Sequence, residues 1–300
     1  SMSHKPKQGV YISSEVITPF IEELFQEVFN TKMIVFHNAK FDLKMLEYHF
    51  DFKFPRVSDT MLMHYLLDES RGSHGLKSLA LKYTEYGDYD KDLDTFRAQY
   101  CKENGILKGQ FTYDLIPFDI LAQYAAIDTA VTYDLYQLFV TKILSSTELT
   151  RVYKELMIPG MLFLKEVEEA GVPFDLSRLM KVQQLMEEQI TQAQEKLYEF
   201  EEVHKFEKAQ GKVFNPNSTQ QLRVLLFDFL SLTPTGKLTG TGAQSTDAEV
   251  LKTLADEHPI PGVILDIRQK SKIKNTYLDK VIPALDNDSR IRTGFNLTST

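Results

Sequence analysis

Two aspartates stand where the surrounding apolar residues predict a buried position. In "LAQYAAIDTAVTYDLYQL" apolar residues recur at helical spacing, and Asp128 lies within that stripe, one turn after Tyr124. Asp42 follows the short apolar strand "MIVF" and lies in the first turn of a predicted helix, with Met45 and Leu46 on the same face. Because a buried carboxylate without a partner costs several kcal/mol, each aspartate requires a cation or hydrogen-bond donors.

Two inward carboxylates can hold Mg²⁺ or Mn²⁺, and such ions activate water and stabilise the leaving oxygen in phosphodiester cleavage. In such a site Tyr124 would orient the attacking water, and Asn38 and Phe41 would line the path of the substrate strand. A simpler explanation exists for Asp42, because an acidic residue in the first turn of a helix complements the helix dipole. That explanation does not extend to Asp128, which lies in mid-helix.

The elements that must position these residues change character along the chain. Up to about residue 143, short apolar strands alternate with helices, which indicates an α/β domain. From about residue 147 strand signals nearly vanish, and a mainly α-helical region is predicted. We therefore expect two domains, 1–145 and 146–300. The predicted elements are strands at 9–13 and 33–36, helices near 17–30, 41–50, 59–67, 74–83 and 117–143, a surface loop from 83 to 113, and a long helix from 176 to 208.

Composition limits the classes of protein that fit. The 300 residues are 43% apolar and 25% charged, with a net charge of −8, which suits a globular protein with at most a local basic surface for nucleic acid. One cysteine, Cys101, excludes an intrachain disulfide framework and fits a reducing compartment such as a bacterial or host cytoplasm. No apolar run is long enough to predict a membrane span. Without a Cys/His cluster, oxygen ligands are the expected metal chemistry.

The two aspartates lie in segments that resemble known motifs. "HNAKFD" resembles the Asn-x-x-(Phe/Tyr)-Asp motif of DEDDy 3′–5′ exonucleases, and "YAAID" resembles their Tyr-x-x-x-Asp motif. The connecting text "SDTMLMHYLLDES…HGLKSLALKY" resembles the proofreading domain of family A DNA polymerases, the bacterial polymerase I class. The resemblance implies a ribonuclease H-like α/β exonuclease domain. It assigns Asp42 and Asp128 to metal ions, Tyr124 to catalysis, and Asn38 and Phe41 to the substrate strand.

The first motif of that family, Asp-x-Glu on the opening strand of the sheet, has no match at the expected place. One Asp-x-Glu occurs, Asp247-Ala248-Glu249, but Thr246 and Glu249 form a predicted capping box at the start of a helix, so we do not assign it to the metal site. With Asp42 and Asp128 alone, the site has half the expected negative charge. We therefore expect the two-metal site to be incomplete and the chain to be a weak nuclease or none. Two explanations stay open: the Asp-x-Glu lies upstream in the native gene, or the domain serves as a scaffold.

The helical half resembles the thumb of the same polymerases in "FNPNSTQQLRVLLF", "STDAEVL", "IRQKSKIKNTYLD" and "SRIRTGFN". Asn217 and Ser218 are predicted N-caps of a helix over 219–230, whose free N–H groups could face a phosphate, and Ser245 and Thr246 are predicted to cap the next helix. A helix over 263–282 carries a basic cluster, Arg268, Lys270, Lys272 and Lys274, which could instead simply solvate an exposed helix. The resemblance implies duplex-backbone contacts by Asn215, Asn217, Ser218, Ser245, Lys272 and Asn275. Arg290 and Arg292 are further candidates.

These observations predict the proofreading and thumb portion of a family A DNA polymerase, of phage origin, that acts in DNA replication. Its partners would be primer–template duplex DNA and a single-stranded 3′ end, with no membrane. The chain ends where the family continues into the palm, so nucleotidyl transfer would lie outside it. Two alternatives remain open: a ribonuclease D-like exonuclease that trims RNA, and a non-catalytic DNA-binding scaffold with a degenerate exonuclease fold.

Overall fold

A computed structural model describes residues 1–298 of the chain and divides them into two units. The first unit comprises Ser1–Ala170 together with the described residues from Gly294 onward, and the second comprises Gly171–Thr293. The predicted boundary between 145 and 146 precedes two helices that pack within the first unit.

Two short strand pairs form the β structure of the first unit. β1 (Met2–Lys5) and β2 (Gln8–Val10) form an antiparallel hairpin, and β3 (Ile34–Phe36) and β4 (Val57–Asp59) pair in parallel. The strand predicted at 33–36 is confirmed as β3, whereas the strand predicted at 9–13 overlaps β2 only at Gly9 and Val10. Parallel strands need a crossover connection, which the helix between β3 and β4 supplies.

Eight helices complete the first unit within the described residues. They are α1 (Pro19–Thr31), α2 (Ala39–Phe50), α3 (Thr60–Leu67), α4 (Leu76–Tyr83), α5 (Lys91–Asn104), α6 (Phe118–Leu144), α7 (Thr147–Arg151) and α8 (Ile158–Ala170), with a π-helical turn, Val152–Met157, between the last two. All five helices predicted before residue 145 are confirmed within two residues at each end. Val131, Leu135, Phe139 and Ile143 on α6 are buried and form the centre of the core, against which α3 and α4 pack.

The prediction of a surface loop over 83–113 is wrong, because α5 occupies Lys91–Asn104. Only Leu93 and Cys101 of this helix are buried, and its sequence is strongly polar. Two signals could have revealed the helix: the spacing of its few apolar residues, and Gly105, which ends it in a left-handed conformation with φ +64°.

The second unit is almost entirely helical. It contains β5 (Val172–Pro173) paired antiparallel with β6 (Arg290–Ile291), and a core that includes Leu222, Leu225, Leu251 and Ile264. Its helices are α9 (Leu176–Tyr198), α10 (Glu201–Gln210), α11 (Thr219–Arg223) continued by a π-helical segment (Val224–Phe229), α12 (Ala248–Leu254), α13 (Pro259–Ile273) continued by a second π-helical segment (Lys274–Leu278), and α14 (Asp279–Val281).

A single helix over 176–208 is not observed. The chain breaks at Glu199 and Phe200, because Phe200 packs against the core and Val203 and Phe206 of α10 are fully buried there. The apolar residues after the break therefore redirect the chain.

The helix predicted to start with a Thr246/Glu249 capping box has a different cap. Asp247 is the N-cap of α12, and its Oδ1 accepts a hydrogen bond from the Val250 N–H at 3.0 Å. Asp247 and Glu249 both pair with Lys237. This Asp-x-Glu therefore lies at an ordinary helix start, as the sequence suggested, although one residue later than the predicted cap.

Candidate active site

The turn between β3 and α2 carries the first group of candidate residues. Asn38 adopts a left-handed conformation, with φ +65° and ψ 54°, and α2 begins at the next residue. The pairing of Phe36 with Asp59 places the ends of the two parallel strands side by side. Asp59 then accepts hydrogen bonds from the backbone N–H groups of Asn38 at 3.2 Å and Ala39 at 2.8 Å.

Asp59 also begins the next helix. It is the N-cap of α3 and accepts from the N–H groups of Met61 at 2.8 Å and Leu62 at 3.3 Å. Its side chain is fully buried. One carboxylate therefore ties together the starts of α2 and α3, and it fixes the backbone from which Asn38, Phe41 and Asp42 project.

Asp42 lies in the first turn of α2, as predicted, and is mostly buried. The pKa of its carboxyl is raised to about 7, chiefly by burial and then by the negative charges of Asp59 and Asp128. The Ser1 amino group acts in the opposite direction. The structure thus brings Asp42 and Asp128, 86 positions apart in the sequence, into one electrostatic environment.

Asp128 lies in the middle of α6 and receives phenolic donors. The Tyr89 hydroxyl donates to Oδ1 of Asp128 at 2.5 Å. Burial raises the pKa of Asp128, and hydrogen bonds from Tyr89 and Tyr124 and the charge of Lys77 oppose that rise. Because Lys77 itself forms an ion pair with Asp90, Asp128 is not neutralised by a lysine of its own.

Tyr124, one turn before Asp128, lies beside the same carboxylate. Its ring stacks on that of Tyr89 with centroids 6.1 Å apart and an interplanar angle of 20°. The Lys77 ammonium lies 5.7 Å from the centroid of the Tyr124 ring. Burial and the charge of Asp128 raise the pKa of the Tyr124 hydroxyl, so it remains a hydrogen-bond donor at neutral pH.

Asn38 and Phe41 border a surface cavity of about 410 Å³. The Phe41 ring is 62% exposed. Lys40, Lys44, Met61, Glu168 and residues 294–297 also line the cavity. Asn38 and Phe41 are thus together at an open surface, on the same turn as Asp42.

In the wall of the cavity, Glu168 of α8 is buried and joins three partners. It accepts from the ammonium groups of Lys40 and Lys44 and from the Phe295 N–H at 2.5 Å. Lys40 also donates to the Phe295 carbonyl oxygen. These contacts attach α2 to α8 and to the returning chain.

The donor set fits a hard divalent cation. Asp42 and Asp128 offer carboxylate oxygens, which Mg²⁺ and Mn²⁺ prefer, and the pKa of each is raised, so a cation between them would relieve both burial and mutual repulsion. These two carboxylates form a pair and not a larger cluster: across residues 1–298, no group of three or more histidine, cysteine, aspartate or glutamate side chains is placed to hold a metal ion.

In the second unit, the residues predicted to contact a duplex have varied environments. Ser218 is the N-cap of α11, whereas Asn217 is not a cap: its N–H donates to Asn215 Oδ1 at 2.9 Å. Asn215 and Asn217 are exposed. The Ser245 side chain is 7% exposed and accepts from the Asp247 N–H at 3.3 Å, and neither Ser245 nor Thr246 caps α12.

Most of the predicted basic cluster is engaged within the protein. Arg268 donates to the Pro216 carbonyl at 2.8 Å and to the Thr246 carbonyl at 2.9 Å. Lys270 pairs with Asp266, and Lys274 pairs with Glu187 and Asp279. Arg290 donates to the Gly171 carbonyl, and Arg292 pairs with Asp286 and Asp288.

Lys272 is the exception in the cluster. Its side chain is exposed, as is that of Asn275, and within the described part of the chain it has no carboxylate partner.

Arg268 brings the loop at Pro216 and the loop at Thr246 together. The sequence did not predict that this arginine would organise the loops instead of facing solvent.

Comparison with known proteins identifies the family. A family model described as 3′–5′ exonuclease matches residues 1–144, and a model described as DNA polymerase family A matches residues 183–300. The chain belongs to DNA polymerase family A. The predicted resemblance is therefore confirmed, and the match over 183–300 favours it over a ribonuclease D-like enzyme.

Several relatives of this family A chain are polymerases. It is 49% identical to the DNA polymerase of Escherichia phage T5 over 99% of its own length and 36% of that protein, and 32% identical to DNA polymerase I of Synechocystis sp. over 99% of its length and 28% of that protein. Its fold resembles the POL domain of Pol1 from M. smegmatis, solved with DNA primer-template and dNTP, with 26% identity and a TM-score of 0.67, over 97% of this chain and 44% of that one. The chain thus spans about a third of the length of these two sequence relatives.

The family A chain contains site residues that sequence reasoning missed. Asp59 was placed at the start of the helix predicted at 59–67 without a role in the site, Tyr89 lay in the predicted surface loop, and Glu168 was not singled out. Within residues 1–298, none of the helices has both the length and the apolar character that a membrane crossing requires.

Proposed function

We propose that the first unit is a ribonuclease H-like 3′–5′ exonuclease domain and that the second is the thumb of a DNA-directed DNA polymerase acting in DNA replication. The observation that carries the proposal is the meeting of Asp42 and Asp128 at a mostly buried site where each carboxyl has a raised pKa. The two family matches, in this order along the chain, support it. The exonuclease would remove mismatched nucleotides from the 3′ end of a primer.

Asp42 and Asp128 would hold Mg²⁺ or Mn²⁺. When bound, such an ion activates water and stabilises a leaving oxygen in phosphodiester hydrolysis. A carboxyl must be ionised to act as a ligand, so the raised pKa of Asp42 predicts that cation binding strengthens as pH rises through about 7. Tyr124, whose hydroxyl stays protonated, would orient the attacking water as a hydrogen-bond partner.

The substrate strand would approach along Asn38 and Phe41. The exposed Phe41 ring offers a face on which a base can stack, a contact that tolerates any sequence. Asn38 can supply amide donors and acceptors from the same turn. A single-stranded 3′ end entering here would reach Asp42, which projects from the same helix start.

In the second unit, we propose a grip on the backbone of duplex DNA by Asn215, Asn217, Ser218, Ser245, Lys272 and Asn275. The exposed positions of Asn215, Asn217, Lys272 and Asn275 support direct contacts. Ser245 would contribute by shaping its loop, because its hydroxyl is buried and bound to the Asp247 N–H. Contacts of this type position a duplex without reading its sequence.

The proposal is tested by Mn²⁺ binding and by digestion of a single-stranded 3′ end. We expect Mn²⁺ to bind the wild-type chain. We expect Asp42→Asn and Asp128→Asn each to abolish this binding. Asp134→Asn is the matched control, because Asp134 lies on the same helix but bonds to Tyr86 instead of facing Asp42. Equal Mn²⁺ binding by all three variants would contradict the proposed site.

A non-catalytic DNA-binding scaffold is the second candidate, and the absence of any three-ligand group in residues 1–298 favours it. With two carboxylates in the chain, we expect hydrolysis of the 3′ strand to be slow. A chain that binds duplex DNA but neither binds Mn²⁺ nor digests a 3′ strand would be this scaffold. Brisk digestion that depends on Asp42 and Asp128 would instead overturn the expectation of a weak nuclease.

A further inference from the structure

The connection between α4 and α5, residues 84–90, reaches the Asp128 carboxylate. Its Gly87 has φ +62°, a left-handed conformation that a larger residue rarely adopts. Two residues later, the Tyr89 hydroxyl donates to Asp128 Oδ1 at 2.5 Å. Neither sequence motif includes this tyrosine, and the connection had been predicted to lie on the surface.

Both sides of Tyr89 are fixed. Its ring stacks on the Tyr124 ring at 6.1 Å, and the adjacent Asp90 is buried and pairs with Lys77 of α4. The phenol is therefore directed at Asp128 by a packed ring and by an ion pair. A hydroxyl held in this way limits the orientations that its carboxylate partner can adopt.

We propose that Tyr89 is a positioning residue that orients the Asp128 carboxylate for a divalent cation, an inference that rests on the proposed function. A carboxylate has about four lone-pair sites on its two oxygens, and a single phenolic hydrogen bond uses one of them. Tyr89 thus holds Oδ1, the hydrogen bond from Tyr124 uses a second site, and the sites that remain are open to a cation. Hydrogen bonds to metal-ligating carboxylates fix ligand orientation, and their loss typically weakens metal affinity 10- to 100-fold.

The same segment offers a matched control. Tyr86 donates to Asp134 Oδ2 at 3.1 Å, so it makes the same kind of phenol–carboxylate bond from the same connection to the same helix. Asp134 does not contribute to the raised pKa of Asp42, whereas Asp128 does. A merely structural role predicts similar consequences for Tyr86→Phe and Tyr89→Phe. A positioning role predicts that they differ in metal binding.

The test is the apparent dissociation constant for Mn²⁺, measured by paramagnetic relaxation so that weak binding is also detected. We expect it to rise about 10- to 100-fold in Tyr89→Phe and to stay unchanged in Tyr86→Phe, with comparable melting temperatures for the two variants. Without metal, the carboxyl ¹³C resonance of Asp128 should shift in Tyr89→Phe alone. An unshifted resonance would overturn the proposal whatever the metal affinity.

Asp128→Asn separates failure of this inference from failure of the proposed function. If Asp128→Asn abolishes Mn²⁺ binding while Tyr89→Phe behaves like Tyr86→Phe, only the positioning role is wrong. If Asp128→Asn binds Mn²⁺ as the wild type does, the metal site itself is wrong, and the role of Tyr89 falls with it.

Discussion

Replacing Asp42 by asparagine should stabilise the metal-free protein above neutral pH. The pKa of Asp42 is about 7 in the folded chain, against about 3.9 for an aspartate in an unfolded chain. Because the folded value is the higher one, Asp42 stays protonated in the native state between about pH 4 and pH 7, whereas in the unfolded chain it has already lost that proton. The contribution of this carboxyl to stability is therefore complete below about pH 4 and is lost as pH rises through 7.

The size of the effect follows from the difference between the two pKa values. A difference of about 3 corresponds to about 4 kcal/mol, and screening of the partly exposed carboxyl reduces this to about 2 to 4 kcal/mol. Asp42→Asn removes the charge and keeps the shape, so its free energy of unfolding should exceed that of the wild type by this amount at pH 8. Near pH 4 the two proteins should be equally stable.

Urea unfolding followed by circular dichroism, at pH 4 and pH 8 without divalent ions, measures the difference. Adding Mn²⁺ at pH 8 should then stabilise the wild type and leave Asp42→Asn unchanged, since a ligand stabilises only the state that binds it. Asp134→Asn should show neither effect. Equal stability of wild type and Asp42→Asn at pH 8 would show that Asp42 is not in the buried, repulsive environment described above.

Three other substitutions test separate parts of the structure. Gly9→Ala should lower the free energy of unfolding by about 1 to 3 kcal/mol, because the new Cβ would lie 1.8 Å from a backbone oxygen of α6. Glu168→Ala should cost about 3 kcal/mol or more, since it leaves Lys40, which is 7% exposed, without its carboxylate partner. Lys272→Ala should lower duplex affinity equally for all sequences and reduce the salt dependence by about one phosphate contact. Lys252→Ala, at an exposed position of α12 outside the proposed contacts, should do neither.

Controls for the two stability predictions lie on one helix. Gly160→Ala on α8 meets no atom within 4 Å and should be neutral or stabilising, unlike Gly9→Ala. Glu166→Ala, at an exposed position of α8, should change stability little compared with Glu168→Ala. For Lys272, a loss of affinity confined to particular base sequences would refute a backbone contact.

The sequence predicted the parts of the site that depend on local periodicity. Asp128 on the apolar stripe of α6 and Asp42 in the first turn of α2 were both readable, because a carboxylate that interrupts a regular pattern is conspicuous. The bounds of five helices in the first unit followed from the same periodicity, whereas α5 was missed. Caps were less readable, since Thr246, Asp247 and Asn217 are all plausible caps and only the backbone path decides between them.

What the sequence could not predict depends on contacts between distant segments. The hydrogen bonds from the Asn38 and Ala39 N–H groups to Asp59 need the parallel register of β3 and β4, which no local pattern encodes. The Tyr89 contact with Asp128 needs the fold of a polar connection, and the ion pairs of Glu168 join residues more than 100 positions apart. Arg268 looked like a solvent-facing cation because its partners are carbonyl groups, which leave no trace in side-chain composition.

The most direct test of the two-carboxylate site is a crystal structure of the chain grown with Mn²⁺ at pH 8, with the metal located by its anomalous scattering. The account predicts a peak at about 2.1 to 2.2 Å from carboxylate oxygens of both Asp42 and Asp128. A peak elsewhere, or two aspartates that each bond to a lysine or arginine and coordinate no ion, would contradict it.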